Sequence, residues 1–180
     1  MNALVKTYIA SRPLQSGGFD QLAASDKSGK GPRGEVDVDD EMLTLVKFAG
    51  GATGSIEATR NAYGRNNFIT LEIHGDKGSI AFNYERMDEL QVMFAEGPDD
   101  ARDFRTVYTG PAHPYGGALW PIPALGIGYG ETKIIECHDF MSAIARGEQP
   151  SPNFRDGCRI SEIADAILKS NEAQNWVTVA

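Results

Sequence analysis

The feature that most constrains the fold of this chain is a repeated alternation of apolar and polar residues through its middle. Met42–Phe48 and Thr53–Thr59 flank Gly50-Gly51, the kind of two-residue glycine connection that β-hairpins prefer. Residues 67–74 and 79–84 repeat the alternation. Because successive side chains of a strand point to opposite faces, each segment has one apolar and one polar face. The pattern predicts an antiparallel meander with one face buried.

Predicted strands come first along the chain and predicted helices come later. Further short strands are predicted at residues 3–10, 90–94, 104–108 and 176–179. One helix is predicted over Glu131–Arg146, with Gly147 at its end, and a second from about Asn153. Their apolar stripes contain Ile134, Cys137, Met141 and Ile144, and Ile160, Ile163, Ala164, Ile167 and Leu168. This order predicts an α+β fold: an open, mainly antiparallel sheet with two helices packed on one face, and the other face free for oligomerisation or ligand.

Composition limits the classes of partner. With 180 residues, 41% of them hydrophobic, one ordinary core is expected, and we predict a single domain over residues 1–180. The net charge is −8, and an acidic surface repels phosphate backbones and anionic lipids. No segment approaches the about 18 apolar residues of a membrane span. We therefore expect no nucleic-acid and no membrane partner.

The chain start and the cysteines indicate the compartment. The first residues carry Lys6 and Arg12 around short apolar pairs, without the pattern of a secretory signal. Cys137 and Cys158 form no CxxC pair and have no Cys/His cluster beside them. We expect reduced, buried thiols in a cytoplasmic protein.

Two segments are irregular in pattern. Residues 14–35 are glycine-rich and nearly without apolar residues, which predicts a flexible loop. Thr109–Gly130, called here the aromatic segment, combines glycines, prolines and aromatic residues and has no charged side chain. Its His113, Tyr115, Trp120 and Tyr129 would offer flat apolar surfaces with polar tips, which suit a sugar ring. The alternative is a packed lid over the sheet edge, and composition does not choose between them.

Other motifs give weaker signals. Gly126, Gly128 and Gly130 resemble a dinucleotide-binding turn, but the third glycine comes one residue early and two prolines interrupt the preceding segment. Glu136, His138 and Asp139 lack the spacing of a zinc site, so no metal site is expected, and His138 and His74 are interpreted as a helix-flank and a surface histidine.

Two arginines flank the turn that follows the predicted hairpin. Arg60 and Arg65 are either solvated or fixed-charge donors at the mouth of a site, able to hold hydroxyls or a carboxylate.

Several blocks in succession resemble one known family. They are GSIEATRNAYGRNN (54–67), EIHGDKGSIAF (72–82), ERMDELQV (85–92), HPYGGALWP (113–121) and PSPNFRDG (150–157). This succession resembles the C-terminal domain of the Gfo/Idh/MocA oxidoreductases over roughly residues 36–179. The resemblance implies a two-domain enzyme: an N-terminal Rossmann domain binds NAD(H) or NADP(H), and the C-terminal α+β domain supplies the substrate wall and the oligomer interface.

The resemblance also implies where the chemistry takes place. Members oxidise or reduce a carbinol of sugars, inositols and related polyols, with a catalytic Lys in a Glu-Lys-Pro motif and a catalytic His in an Asp-x-x-x-His stretch. Neither motif is expected in this chain, and the Rossmann domain is absent from it, so we expect no catalytic and no cofactor-binding residue here. NAD or NADP is implied for the full-length enzyme, and the chain alone should not turn over.

Substrate contacts follow from the same resemblance. The residues that match ligand-side motifs of the family are Arg60, Arg65, Asn66, His113, Tyr115, Trp120 and Tyr129. The chain is then the substrate-binding and assembly half of an oxidoreductase for a sugar, inositol or related polyol, and a homo-oligomer through its open sheet face. The alternative is a stand-alone, non-catalytic module that homo-oligomerises or binds a partner through that face.

Overall fold

A computed structural model describes residues 1–14, 32–123 and 125–179, which fall into two compact units. Unit 1 comprises residues 1–63 and 152–180, and unit 2 comprises residues 64–151. Most of the predicted loop at 14–35 lies outside the described residues. Its end was wrongly assigned, because Arg33–Glu35 forms a strand that pairs with Ser11–Pro13.

The described elements confirm the α+β class and an open antiparallel arrangement. The strands are β1 (Asn2–Lys6), β2 (Ser11–Pro13), β3 (Arg33–Glu35), β4 (Glu41–Lys47), β5 (Thr53–Thr59), β6 (Thr70–Gly75), β7 (Gly78–Asn83), β8 (Glu89–Phe94) and β9 (Arg105–Tyr108). The helices are α1 (Gly116–Leu119), α2 (Tyr129–Arg146) and α3 (Phe154–Ala173). None of these helices is long and apolar enough to cross a membrane.

Unit 1 contains an antiparallel sheet of order β1-β4-β5. The hairpin of β4 and β5 is confirmed, and Gly51 in its turn has a φ of 91°, which a residue without Cβ adopts readily. Ser170 and Asn171 of α3 accept the N–H groups of Ala3 and Val5 at 3.0 and 2.8 Å. The helix therefore supplies hydrogen-bond acceptors to the outer edge of β1, which no strand among the described residues pairs.

The predicted start of α3 is also confirmed. The Asn153 side chain accepts the Arg155 N–H at 2.8 Å, and the Asp156 carboxylate accepts the Asn153 N–H at 2.8 Å. These contacts satisfy backbone donors that the first helical turn leaves unpaired.

Unit 2 contains a four-stranded antiparallel meander of order β6-β7-β8-β9. The register sets Ile73 opposite Ile80, and Ile80 opposite Val92, on one apolar face. Val92 on the central strand β8 is buried, whereas Ile73 on the edge strand β6 stays half-exposed. The predicted continuous meander is divided, because β5 pairs with β4 and belongs to the sheet of unit 1.

Some expectations were wrong. The closing strand at 176–179 is absent from the described residues, where Val177 exchanges two hydrogen bonds with Met1, too few to form a ladder. Cys137 and Cys158 are exposed rather than buried. Cys137 lies on the predicted apolar stripe of α2, whose Ile134, Met141 and Ile144 are also exposed. The stripe was read correctly as apolar, but it does not face a core in the described chain.

The outer face of the unit 1 sheet differs from the predicted polar one. Leu4 lies opposite Leu43 in the register, and Leu45 lies opposite Asn2 on the same face. These leucines, called here the leucine face, have exposed fractions of 55%, 41% and 57% for Leu4, Leu43 and Leu45. The β5 side of this face is polar, with Ser55, Glu57 and Thr59, and the same face carries Asn2 and Lys6 on β1 and Glu41 on β4. The open face therefore has an apolar patch of three leucines with polar residues around it.

Candidate functional site

The seven residues predicted to contact substrate divide between the two units. Arg60 belongs to unit 1, where it is exposed and its backbone N–H donates to the Asp40 carbonyl at 2.8 Å. The other six belong to unit 2. Four of the six lie in three places, namely a network around Glu85, a cleft beside the aromatic segment, and a contact between that segment and α2. Trp120 and Tyr129 lie outside these places.

In the first place, Glu85 contacts two of the predicted substrate residues, Arg65 and Asn66. Its carboxylate accepts the backbone N–H of Asn66 at 2.9 Å and lies 3.5 Å from the Arg65 guanidinium. That guanidinium stacks over the Phe68 ring, 3.8 Å from its centroid. Arg65 is therefore held in place by a carboxylate and a ring, although half of its side chain remains exposed.

The second place is a cleft of about 650 Å³. It is lined by Asp88, Glu89, residues 108–113, Pro123, Leu125 and Gly126. This volume lies within the roughly 300–1,000 Å³ of small-molecule sites. His113 is the predicted substrate residue in its wall. Most of the wall comes from strand ends and from the start of the aromatic segment.

Asp88 contacts three residues in or beside this wall: Thr109, Gly126 and Ile127. Its backbone carbonyl accepts the Thr109 N–H at 2.9 Å. Its carboxylate oxygen Oδ1 accepts the Ile127 N–H in a short hydrogen bond. A Cβ on Gly126 would lie 3.0 Å from the other oxygen, Oδ2, so glycine there lets the segment approach the carboxylate. The neighbouring Glu89 is paired with Arg86 at 2.8 Å.

The third place joins the aromatic segment to α2. The Tyr115 hydroxyl donates to Asp139 Oδ2 at 2.7 Å, and Asp139 Oδ1 lies 3.1 Å from His138 Nδ1. The rings of Tyr115 and His138 meet edge to face, with centroids 6.1 Å apart. The Tyr115 hydrogen bond to this carboxylate raises the pKa of Tyr115, and the same bond, followed by that of His138, lowers the pKa of Asp139. The phenol proton is thus committed to Asp139, which leaves the phenol oxygen as an acceptor.

The backbone of the segment is strained at the same residue. Tyr115 has a φ of 63°, which costs a non-glycine residue about 1–3 kcal/mol. The next residue, Gly116, is buried, and a Cβ there would lie 2.7 Å from the Pro111 carbonyl oxygen. The turn into α1 therefore requires glycine at 116, and the hydrogen bond to Asp139 helps to hold Tyr115 in its strained conformation. The helix α1 corrects the expectation that the aromatic segment has no regular structure.

Trp120 and Tyr129 occupy opposite environments. Trp120 is 3% exposed, and its indole N–H has no partner among the described residues. Tyr129, the first residue of α2, is largely exposed, with the Lys133 ammonium 5.5 Å from its ring centroid. The burial of Trp120 is typical of a packed residue and fits the alternative in which the aromatic segment is a packed lid. A substrate role for Trp120 or for Tyr129 stays a prediction.

Sequence reasoning missed the residues that fix these side chains. Glu85 and Asp88 lie in the block 85–92 and Thr109 begins the aromatic segment, but none of them was given a role, and Asp139 was considered only as a metal ligand. Their positions in the sequence could have indicated that Asp88 and Thr109 lie close together. Asp88 precedes one predicted strand and Thr109 follows the next, and these two ends are adjacent when the strands pair in antiparallel fashion. Asp139 could not have been found, because its partner lies 24 residues away in an irregular segment.

Cofactor and metal sites can be examined in the same residues. The glycine turn before α2 leads to Gly128, whose N–H donates to the Glu131 carboxylate at 2.8 Å. A carboxylate of the chain itself therefore occupies this donor. In residues 1–14, 32–123 and 125–179 there is no group of three His, Cys, Asp or Glu side chains that could hold a metal ion.

Comparison with known proteins gives consistent matches. A family model described as "Oxidoreductase family, C-terminal alpha/beta domain" matches residues 17–179. Levoglucosan dehydrogenase of Pseudarthrobacter phenanthrenivorans is 64% identical over 179 residues, which are 99% of this chain and 46% of that enzyme. Inositol 2-dehydrogenase of Rhizobium meliloti is 25% identical over 145 residues, covering 78% of this chain and 37% of that enzyme.

Solved structures give the same relation. A levoglucosan dehydrogenase in complex with NADH and L-sorbose matches with a TM-score of 0.90 and 61% identity, covering 99% of this chain and 44% of that one. The chain thus spans about half the length of the relatives that it matches.

Proposed function

This chain belongs to the oxidoreductase family as its C-terminal α/β domain, and from that premise we propose that it is the substrate-binding and assembly domain of an NAD-linked dehydrogenase for a sugar of the levoglucosan type or a related polyol. The observation that carries the proposal is the 64% identity with levoglucosan dehydrogenase over 99% of the chain. An identity of this level over nearly the whole chain favours a related sugar over an unrelated substrate.

The proposed division of labour follows from the chemistry of hydride transfer. A nicotinamide must be held against the substrate carbinol, and a positioned group must take the hydroxyl proton. Relatives described as complexes with NADH are more than twice as long as this chain. We assign nicotinamide binding and proton transfer to the part of such an enzyme that this chain does not match. The 180 residues alone are then inactive, and the cofactor of the whole enzyme is NAD rather than NADP.

The residues proposed to face the sugar in unit 2 begin with those of the three places described, and Arg60 of unit 1 stays a separate predicted contact. His113 lies in the cleft wall, and Tyr115 offers a phenol oxygen oriented by Asp139. Arg65 and Asn66 are held by Glu85, which leaves the guanidinium in a fixed position to donate hydrogen bonds to hydroxyls. Tyr129 is exposed at the start of α2. Trp120 is assigned to packing beneath the segment because it is buried.

The proposed assembly is a homo-oligomer through the leucine face. Exposed leucines side by side on an open sheet are unusual on a monomer, because burying them gains about 25 cal/mol per Å² of apolar surface. The polar rim along β5, with Glu57, fits the edge of such an interface.

The test compares the 180-residue polypeptide with the native protein. An antibody against this domain gives the mass of the native polypeptide, and NADH formation from levoglucosan, inositol and L-sorbose is assayed by absorbance on both proteins. We expect a native band more than twice as heavy as the 19.5 kDa of this chain, as for the relatives that are more than twice as long, and NADH formation by that protein alone.

Two outcomes would contradict the proposal. A native band at 19.5 kDa would favour the stand-alone module. A larger protein that oxidises none of these compounds with NAD would remove the proposed substrate class.

A further inference from the structure

The cleft of unit 2 contains a hydroxyl group without a partner. Thr109 Oγ1 is shielded from solvent and makes no hydrogen bond with any described residue. Shielded polar groups in proteins are nearly always paired with protein, water or ligand, and leaving one unpaired is unfavourable. Thr109 also lines the cleft. Rotation of the Thr109 side chain about its Cα–Cβ bond would bring this unpaired hydroxyl, a donor and an acceptor, to a molecule in the cleft.

The residue opposite Thr109 along the chain pairing is an aspartate. Glu89 pairs with Tyr108 in the β8–β9 register, and the Thr109 N–H donates to the Asp88 carbonyl one step further along. Opposite residues of an antiparallel pair place their side chains on the same face, with Cβ atoms about 4.5–5.5 Å apart. Asp88 Oδ1 is used by the Ile127 N–H, whereas Oδ2 has no partner among the described residues.

We propose that Asp88 and Thr109 form a subsite for two neighbouring hydroxyls of a neutral polyhydroxylated ring in this cleft. Asp88 Oδ2 accepts one ligand hydroxyl, and Thr109 Oγ1 exchanges a hydrogen bond with the next. Tyr108 and the prolines of the wall supply apolar surface for the C–H face of the ring. The subsite rests on the proposed function for the class of ligand, and adds two binding residues to it.

The charges of the cleft argue against other ligands. A phosphate or carboxylate ligand would meet Asp88, while the nearby Arg86 is already paired with Glu89. A purely apolar ligand would cover the Thr109 hydroxyl and Asp88 Oδ2 and leave both unpaired, which is unfavourable. A metal ion lacks a third ligand of the acidic, cysteine or histidine type among the described residues. A neutral ring with adjacent hydroxyls satisfies both groups.

The test is binding of levoglucosan and of inositol to the 180-residue chain without cofactor, measured by calorimetric titration. Thr109→Val keeps the shape and removes the hydroxyl, and we expect about tenfold weaker binding, the effect of one neutral hydrogen bond. Asp88→Asn keeps an oxygen for the Ile127 N–H and should also weaken binding. The matched control is Thr106→Val on the same strand, whose hydroxyl accepts a hydrogen bond from Gln91 at 2.9 Å, and its binding should be unchanged. Tetrahydropyran, a ring without hydroxyls, should not bind.

Thermal unfolding of each variant separates binding from folding. Unchanged affinity in Thr109→Val together with a higher melting temperature would overturn the subsite, since the hydroxyl would then be only an unpaired group. Absence of binding by the folded wild-type chain would overturn it as well. If the subsite holds while the native protein oxidises no sugar, the proposed function fails and the subsite stands. If the native protein oxidises levoglucosan with the same KM in Thr109→Val, the subsite fails and the function stands.

Discussion

At the residue scale, the most strongly determined side chain of unit 1 is Asp40. It is 2% exposed, and its Oδ2 accepts the N–H groups of Tyr8 and Ile9, both at 2.8 Å. Arg12 lies 3.1 Å from the other oxygen. The two backbone donors, with Arg12 in addition, lower the pKa of Asp40. The carboxylate therefore fixes the turn between β1 and β2 through its charged form.

This arrangement predicts an acid-sensitive stability. The unfolded chain takes up the Asp40 proton near pH 4, the ordinary value of an aspartate, and the folded chain only at lower pH. The stabilisation is thus complete above about pH 4 and is lost as the pH falls through the folded pKa. Urea unfolding at pH 7 and at pH 3 should show a larger loss of stability for the wild type than for Asp40→Asn, which is less stable at pH 7.

The matched control is Asp39→Asn, which removes the same charge from an exposed neighbouring residue. It should behave as the wild type at both pH values. Equal acid sensitivity of Asp40→Asn and the wild type would show that Asp40 is not the titrating group.

At the scale of elements, the aromatic segment behaves as packed structure rather than as a linker. It contains α1, a glycine that tolerates no Cβ, a strained tyrosine and a buried tryptophan. Composition predicted its importance but left a ligand surface and a lid equally open. In the structure the two residues differ. The exposed Tyr129 fits a ligand surface, whereas the buried Trp120 fits a packed lid.

The role of Trp120 can be measured through stability. Trp120→Ala removes a side chain that is 3% exposed and should lower the free energy of unfolding by about 3–5 kcal/mol. Tyr129→Ala, at an exposed position, should change it by no more than about 0.5 kcal/mol. Both values come from urea denaturation followed by circular dichroism. A fully stable Trp120→Ala with weakened levoglucosan binding would instead make Trp120 a substrate contact.

At the scale of the whole molecule, the leucine face is one of several apolar surfaces that stay exposed, as the stripe of α2 does. Leu4, Leu43 and Leu45 lie side by side because the β1–β4 register aligns them. The alternation of each strand alone shows only that one face is apolar. Pairing the strands turns isolated leucines into a continuous surface, which the proposed oligomer would cover.

Disruption of that surface should alter the oligomeric state. Leu43→Glu places a carboxylate in the middle of the leucine face, and we expect at least about tenfold weaker self-association, roughly 1.4 kcal/mol. Val38→Glu, with the same change of charge at an exposed loop position, is the control and should associate as the wild type. Sedimentation equilibrium over a range of concentrations measures both. Equal association of the two variants would place the interface elsewhere.

The local order of the chain followed from the sequence, because local rules govern it. The glycine turn at 50–51, the cap at Asn153 and the end of α2 at Gly147 depend on a few neighbouring residues, and all three were predicted correctly. The fold class followed from the order of strands and helices. The resemblance of the sequence blocks supplied the family, which the comparisons confirm.

Only the tertiary structure decided which faces are covered and which side chains meet. Ile134 and Leu71 belong to regular apolar patterns yet remain exposed, because burial depends on what packs against an element. Tyr115 is hydrogen-bonded to Asp139, 24 positions away in the sequence, and Asp88 to Ile127, 39 positions away. Such contacts depend on the path of an irregular segment, which periodicity does not encode.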